Sequence, residues 1–301
     1  MGAKAGLFDR EGPMEDPQNL IDALALERIE VNLFRGTAPT SQGPRIFGGH
    51  VIAQALLAAY KTVEARTCHS LHCYFIRPGD PAVPILYEVD RARDGRTFTT
   101  RRVTAIQHGQ QIFNLAASLQ APEDGLEHQD PMPRTPRPDS LPAERDLRAA
   151  FLETLPAKMR EMAERPRPIE MRPVDGEDFM NPRTSTASQN VWMRATAPLG
   201  DDLIMNQAVI AYASDMSFLS TSMRPHRMGW QTPGLQTASL DHAIWFHRPS
   251  QFNQWHLYAQ RSPSASGARG FNLGEIYNLD GRLVASTAQE GLMRYRAPPE
   301  S

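Results

Sequence analysis

The chain contains one short pattern twice. Leu71–Pro78 reads LHCYFIRP and His242–Pro249 reads HAIWFHRP, with an aromatic residue, an arginine and a proline at matching positions. Phe246 follows Phe75 by 171 residues (246 − 75), whereas solenoid repeats have periods of about 20–50 residues. The spacing therefore predicts a duplicated domain. Because the two copies can diverge, functional residues should be sought where the halves differ.

The composition of the chain limits the classes of protein to which it can belong. A chain of 301 residues is long enough for two domains that each bury a core. The net charge of −2 gives no electrostatic footprint for nucleic acid, and two cysteines argue against a disulfide-stapled secreted fold. No apolar stretch approaches the roughly 20 residues of a membrane span, and residues 1–17 lack the apolar core of a signal peptide. We therefore expect a soluble cytoplasmic protein without a metal or a cofactor.

Residues 18–120 predict a first domain, preceded by a disordered segment over 1–17. Residues 18–34 read as a short helix that leads into a strand. The apolar run after Phe47-Gly48-Gly49 predicts a buried helix over 50–63. Runs rich in Thr, Val, Ile and aromatic residues then predict strands at 68–76, 84–93, 97–107 and 111–120.

The second domain is predicted over 190–297 and repeats the order of the first. Residues 121–189 are rich in proline and charge, which predicts a linker with short helices. The second helix is predicted over 205–222, and the second set of strands at 238–247, 254–262, 269–279 and 282–295. A central helix wrapped by a curved antiparallel sheet, made twice, is an α+β fold, because a parallel α/β fold would alternate strands with helices.

Polarity differs between the halves at Asp215 and Gln289. Asp215 lies in the apolar run of the second helix, and the first helix has no acidic residue in its run. It is either a surface residue of an amphipathic helix or a buried carboxylate, which is costly unless a site uses it. Gln289 stands where the first half has Ala117 or Ser118, and is either a solvated strand end or a polar group that faces the helix. Ser239, at the start of a predicted strand, carries no signal by itself.

Other motifs are weaker. The run CHSLHC, which starts at Cys68, resembles a metal chelate. Strand alternation would send Cys68 and His72 to one face and His69 and Cys73 to the other, so four ligands could not converge. The glycines of residues 47–49 could offer backbone N–H groups to an anion or a carbonyl oxygen. No G-x-S-x-G elbow occurs, which argues against an activated serine nucleophile.

Several long segments, in the right order, resemble the acyl-CoA thioesterase II family, the double hot-dog thioesterases of bacteria and peroxisomes. These segments are FRGTAPTSQGPRIFGGHVIAQAL, SLHCYFIRPGDP, AYASDMSFL, LDHAIWFHRP and SPSASGARGFNLGEIYNLDGRLVASTAQEGLMR. The resemblance covers most of residues 24–120 and 190–296. It implies a double hot-dog fold and the hydrolysis of acyl-CoA to a fatty acid and coenzyme A.

The resemblance also implies a set of site residues. The family's Asp, Thr or Ser, and Gln fall on Asp215, Ser239 and Gln289, and a hydroxyl is kept although bacterial members often have Thr at the second position. Such a set can hold a water molecule and accept its proton. More loosely, Arg248 and Arg269 are candidates for the coenzyme A phosphates, and Met216 and Phe218 for the acyl chain, although either arginine could be a solvated surface residue. A homo-oligomer, dimer or tetramer, is also expected.

Two other functions stay open. A hot-dog enoyl-CoA hydratase or dehydratase would need a paired Asp and His at the helix, and no histidine follows Asp215 within ten residues. Asp241 and His242 are neighbours on a strand, so they point to opposite faces and do not form a dyad. A non-catalytic acyl-CoA binding module would explain the duplication, but not three polar residues confined to one half.

Overall fold

A computed structural model describes residues 20–39, 44–152, 167–180, 182–183, 186–230 and 232–297. Its helices are α1 (Leu20–Leu24), α2 (Gly48–Tyr60), α3 (Glu144–Leu152), α4 (Gly176–Met180), α5 (Leu203–Ser214) and α6 (Ser220–Met223). The strands of the first half are β1 (Leu26–Glu30), β2 (Leu33–Gly36), β3 (Thr67–Phe75), β4 (Ile85–Asp94), β5 (Phe98–Gln107) and β6 (Gln110–Gln120). Those of the second half are β7 (Ile169–Pro173), β8 (Ser188–Ala195), β9 (Leu235–Ser239), β10 (Asp241–Phe246), β11 (His256–Ser266), β12 (Arg269–Asn278) and β13 (Leu283–Tyr295).

The strands form one antiparallel sheet in which the second half mirrors the first. The order is β1-β2-β4-β5-β6-β3-β10-β13-β12-β11-β8-β7, with β9 paired to β13. The two repeated segments are β3 and β10, and they pair directly across the middle of the sheet. His72 lies opposite Ala243, and these residues are also 171 positions apart (243 − 72). The register therefore places the two copies around a local twofold axis, as the duplication predicts.

Two buried helices lie side by side within the sheet and run antiparallel. Tyr60, at the end of α2, donates a hydrogen bond from its hydroxyl to Gln207 near the start of α5. At the other end, Gly49 of α2 lies against the backbone oxygen of Tyr212 in α5. Most residues of both helices are buried, because each helix packs against the other helix and against the sheet. The core is therefore shared between the halves.

Most elements agree with the sequence-based predictions, with two corrections near the second helix. The predicted helix over 205–222 ends at Ser214, because Ser217 adopts a left-handed conformation with φ of 58°; the short α6 follows it. The predicted strand over 238–247 is two strands separated by Leu240. Ser239 consequently ends β9 instead of starting a strand.

The segment 121–189 contains more structure than a linker. It carries α3, α4 and β7, and β7 pairs with β8 along Ile169–Pro173. The second half of the sheet thus begins before residue 190, because its two outermost strands mirror β1 and β2. The predicted disorder of residues 1–17 lies outside the described residues, as do residues 153–166.

The alternation predicted for the CHSLHC strand is wrong because β3 has a bulge between Cys68 and Ser70. Both cysteines are buried, whereas His72 is exposed and His69 bonds to the hydroxyl of Ser118. Across the described residues, no cluster of three or more His, Cys, Asp or Glu side chains could hold a metal ion. None of the described helices has the length and apolar character needed to cross a membrane.

Candidate active site

Asp215 lies where the C-terminus of α5 is next to the N-terminus of α2. It is the C-cap of α5 and lies next to the first turn of α2, where a β-carbon added to Gly48 would be 2.6 Å from its Oδ2 atom. A helix C-terminus carries a partial negative charge and an N-terminus a partial positive one. The carboxylate is therefore opposed by its own helix and stabilised by the helix of the other half.

Three hydrogen bonds hold this carboxylate. The backbone N–H of Gly49 donates to Asp215 Oδ2 at 3.0 Å. The side-chain amide of Gln289 donates to Oδ1 at 2.6 Å, and the hydroxyl of Ser239 makes a longer bond to the same oxygen at 3.4 Å. The three residues named from the sequence therefore converge on one point, although they come from α5, β9 and β13.

Gly49 is a contributor from the first half, which the comparison of the two halves did not select. A β-carbon at Gly49 would lie 2.2 Å from the carbonyl oxygen of Tyr212, a distance that backbone atoms cannot tolerate. Only glycine lets α2 approach α5 so closely that the N–H at position 49 reaches Asp215. The sequence pointed to this position through the glycine pair before the helix, whose N–H groups were expected to meet an anion or a carbonyl oxygen. In the structure the anion is the side chain of Asp215.

His242 is a second residue missed from the sequence. It is buried, and its Nδ1 lies 3.2 Å from the amide nitrogen of Gln289, while its Nε2 lies 2.9 Å from the hydroxyl of Ser214. The Gln289 nitrogen must donate toward the Asp215 carboxylate, so Nδ1 of His242 is the acceptor and Nε2 carries the proton. Asp241 faces away and accepts from the backbone N–H of Glu290, which confirms that it forms no dyad with His242.

Burial shifts the pKa of both titratable groups of this site, Asp215 and His242. It raises the pKa of Asp215 above its ordinary value of 3.8, while the hydrogen bonds from Gln289, Gly49 and Ser239 act in the opposite direction. It also lowers the pKa of His242 to about 3, so that the imidazole is neutral near pH 7. The site therefore combines one anion of increased basicity with a neutral histidine.

Comparison with known proteins identifies the family. A family model described as "Acyl-CoA thioesterase N-terminal domain" matches residues 37–120, and one described as "Acyl-CoA thioesterase" matches residues 160–292. The chain is 40% identical to acyl-CoA thioesterase 2 of Haemophilus influenzae over 278 residues, which is 92% of this chain and 97% of that protein. The chain belongs to the acyl-CoA thioesterase II family. Acyl-coenzyme A thioesterase 8 of Homo sapiens is 38% identical over 302 residues, covering 97% of this chain and 94% of that protein.

Comparison with solved structures agrees with the fold. An acyl-CoA thioesterase II of Mycobacterium marinum superposes with a TM-score of 0.74 at 40% identity, over 91% of this chain and 98% of that one. A hot dog fold protein of Alicyclobacillus acidocaldarius gives the same TM-score at 21% identity, over 91% of this chain and 97% of that one. The second likeness concerns the fold alone. The double hot-dog architecture predicted from the sequence is confirmed.

The two arginines that were predicted to bind the coenzyme A phosphates lie in different parts of the structure. Arg248 lies beyond the end of β10, where it donates to the carbonyl of Leu283 and faces Glu127 at 3.4 Å. Leu283 and Gln289 are six residues apart on β13 (289 − 283), or about 20 Å along the strand. Arg269 lies on the outer face of the sheet and pairs with Glu290 at 2.8 Å. Their phosphate-binding roles stay predictions.

The residues predicted for the acyl chain lie close to the carboxylate. Phe218 is fully buried and makes an edge contact with the ring of His242, with 5.8 Å between ring centroids. Met216 follows Asp215 directly and packs against the main core. Phe218 thus packs against the histidine that contacts Gln289, and its contact with an acyl chain stays a prediction.

Proposed function

We propose that this chain hydrolyses acyl-CoA thioesters to a carboxylic acid and coenzyme A, using a water molecule that Asp215 activates. The observation that carries the proposal is the environment of Asp215. Its carboxylate has a raised pKa, belongs to a residue that is only partly buried, and is fixed by donors from three other elements. A general base needs this combination of basicity, access and fixed orientation.

The hydrogen bonds leave one acceptor position of the carboxylate for a water molecule. An ionised carboxylate has about four acceptor positions, and three are filled by Gly49, Gln289 and Ser239. Gln289 and Ser239 both donate to Oδ1, so a water molecule that donates to the fourth position would bind Oδ2, the oxygen that also accepts from the Gly49 N–H. This bond can orient the lone pairs of the water toward the thioester carbon. Transfer of its proton to Asp215 accompanies formation of the bond between the water oxygen and the carbonyl carbon.

The negative charge that develops on the thioester oxygen needs N–H donors. The first residue of α2, Gly48, has a backbone N–H that meets no acceptor among the residues that the structure describes, and it lies next to Asp215. The positive end of α2 also favours an anion at this position. Collapse of the tetrahedral intermediate then breaks the carbon–sulfur bond, and the departing thiolate takes the proton that Asp215 received.

The alternative activities fit this arrangement less well. A hydratase would need His242 to exchange protons with the substrate, but both of its ring nitrogens already bind protein groups and burial keeps it neutral. A binding module would have no use for a carboxylate held beside a hydroxyl and an amide. Hydrolysis is therefore the function that the site supports best.

Release of free thiol from decanoyl-CoA, followed with a thiol reagent, tests the proposal. We expect one decanoic acid for each thiol released. Hydration of 2-decenoyl-CoA without thiol release would instead identify a hydratase, and stable binding of unreacted decanoyl-CoA would identify a carrier. The cytoplasmic location and the dimeric or tetrameric state stay predictions, which cell fractionation and light scattering would test.

The pH dependence of hydrolysis should report Asp215. Because the base must be ionised, kcat/KM should fall as the pH drops through a pKa above 3.8. In Gln289→Met the carboxylate loses a donor that stabilises its charged form, so this pKa should rise further and the acid limb should move upward by about one pH unit. The exposed Gln236 of β9 offers a matched control, and Gln236→Met should keep the wild-type profile. An unshifted acid limb in Gln289→Met would exclude this role for the amide.

A further inference from the structure

Asn272 is a buried amide directly beside Gln289. The two residues are opposite each other on β12 and β13 and face the same interior side of the sheet. Asn272 has no exposed surface, and neither its side-chain oxygen nor its nitrogen has a hydrogen-bond partner within the described part of the chain. The Oε1 atom of Gln289, which is 1% exposed, also has none there. Three buried polar atoms thus lie on two directly opposed residues of the same interior face.

The equivalent position in the first half is fully paired. Ala117 corresponds to Gln289, because Ala116 lies opposite His72 and Ala288 lies opposite Ala243 in the mirrored strand pairs. Arg101 lies opposite Ala117, so it is the counterpart of Asn272. This buried arginine bonds to Thr62, to Asp94 and to nearby backbone oxygens. The fold therefore accommodates a polar group at this point, but in the first half the protein supplies every partner.

The chemistry of the unpaired atoms defines what they can bind. Each buried polar group without a partner is costly, and unpaired groups in native proteins generally meet an ordered water or a ligand. Here two oxygen acceptors face one amide donor, so the missing group must both donate and accept hydrogen bonds. Because Asn272 is completely enclosed, a single water molecule is the occupant that fits.

We propose that Asn272 and Gln289 together bind one buried water molecule, which fixes the orientation of the Gln289 amide. The water donates to Gln289 Oε1 and accepts from the amide nitrogen of Asn272. Asn272 is then a positioning residue that acts through Gln289 on the carboxylate of Asp215. This inference rests on the proposed function, in which Gln289 must turn its N–H toward that carboxylate.

Asn272, on the strand next to that of Gln289, should therefore influence the base Asp215 through the Gln289 amide. If the amide of Gln289 loses its anchor, it can rotate and present its oxygen to Asp215, which would repel the carboxylate. The Asp215 carboxylate would then lose its 2.6 Å hydrogen bond. Loss of Asn272 should therefore reproduce part of the effect of changing Gln289 itself.

Paired valine variants test this link. Asn272→Val should lower kcat about tenfold with little change in KM, and should move the acid limb of kcat/KM upward. Asn272→Ser, which keeps a donor and an acceptor, should restore most of the rate and the wild-type limb. Thr287→Val introduces the same side chain on the interior face of the neighbouring strand β13, and should leave the rate and the acid limb unchanged. An Asn272→Val enzyme that folds and has the wild-type rate and acid limb would overturn the proposal.

A high-resolution crystal structure of the wild-type protein gives a test that needs no variant to fold. We expect an ordered water molecule within about 3.2 Å of both Asn272 and Gln289 Oε1. A direct bond between the two amides with no water would overturn the proposal. This result is independent of turnover, so a water site in a protein that releases no thiol would contradict the proposed function while leaving the binding site in place.

Discussion

The Asp215→Asn variant should lose thioester hydrolysis almost completely. An asparagine cannot accept the proton of the attacking water, and general base catalysis typically contributes about 10²–10⁴-fold to the rate. We expect kcat to fall by that factor with decanoyl-CoA, while KM changes little because the asparagine side chain has nearly the same shape as the carboxylate that it replaces. Thiol release at several substrate concentrations measures both constants.

Asp241→Asn is the matched control for this variant. Burial also raises the pKa of Asp241, but this carboxylate accepts from the backbone of Glu290 and does not face Gln289. Asp241→Asn should therefore keep most of the activity. Full hydrolysis by Asp215→Asn, or an equal loss in both variants, would remove Asp215 from the mechanism.

Asp215→Asn should also change the free energy of unfolding, and the sign of this change follows from the pKa of Asp215. Because the pKa of Asp215 is raised by folding, the folded state binds its proton more tightly than the unfolded state does. Ionised Asp215 therefore costs stability as the pH rises from about 3.8 through the raised pKa. Relative to the wild type, Asp215→Asn should gain free energy of unfolding over that pH range, which urea unfolding at a series of pH values would measure.

The Gly49→Ala variant should lose both stability and activity. Its new β-carbon would lie 2.2 Å from the carbonyl oxygen of Tyr212, so α2 and α5 must move apart. Overpacking of this kind lowers the free energy of unfolding by about 1–3 kcal/mol. The displaced N–H of residue 49 would also no longer reach Asp215, and kcat/KM should drop at least tenfold.

Gly125→Ala separates this contact from the general effect of replacing a glycine. A β-carbon at Gly125 meets nothing within 4 Å, and its φ is not positive, so its stability should match that of the wild type. Urea unfolding of both variants beside the thiol assay completes the comparison. A Gly49→Ala protein as stable and active as Gly125→Ala would contradict the close helix contact.

The strands were predictable because alternation along each one is local. The four strands predicted for the first half lie within about one residue of their observed bounds. The end of α5 was not predictable, since it depends on the left-handed conformation of Ser217, which no pattern of apolar residues encodes. Ser and Asp at positions 214 and 215 are typical of helix ends, and this signal was outweighed by the apolar run around them.

Part of the site was visible as a difference between the halves. Asp215 stands out because the first helix has no acidic residue in its apolar run, and Gln289 stands out because it replaces a small residue of the first half. The structure joins these two side chains by a hydrogen bond of 2.6 Å. His242 and Asn272 did not stand out, and Gly49 was visible only as part of the glycine pair before α2. Their importance comes from contacts across the two helices or across neighbouring strands, and such contacts require the register of the sheet.

A single turnover in ¹⁸O-labelled water tests the central claim, that Asp215 activates water and does not itself attack the thioester. Enzyme in excess over decanoyl-CoA is mixed in this solvent, and the acid and the peptide that contains Asp215 are then analysed by mass spectrometry. Direct attack by water predicts one ¹⁸O atom in the decanoic acid and none in the Asp215 peptide. Appearance of ¹⁸O in Asp215, with unlabelled acid, would reveal an anhydride with the carboxylate and would contradict the account.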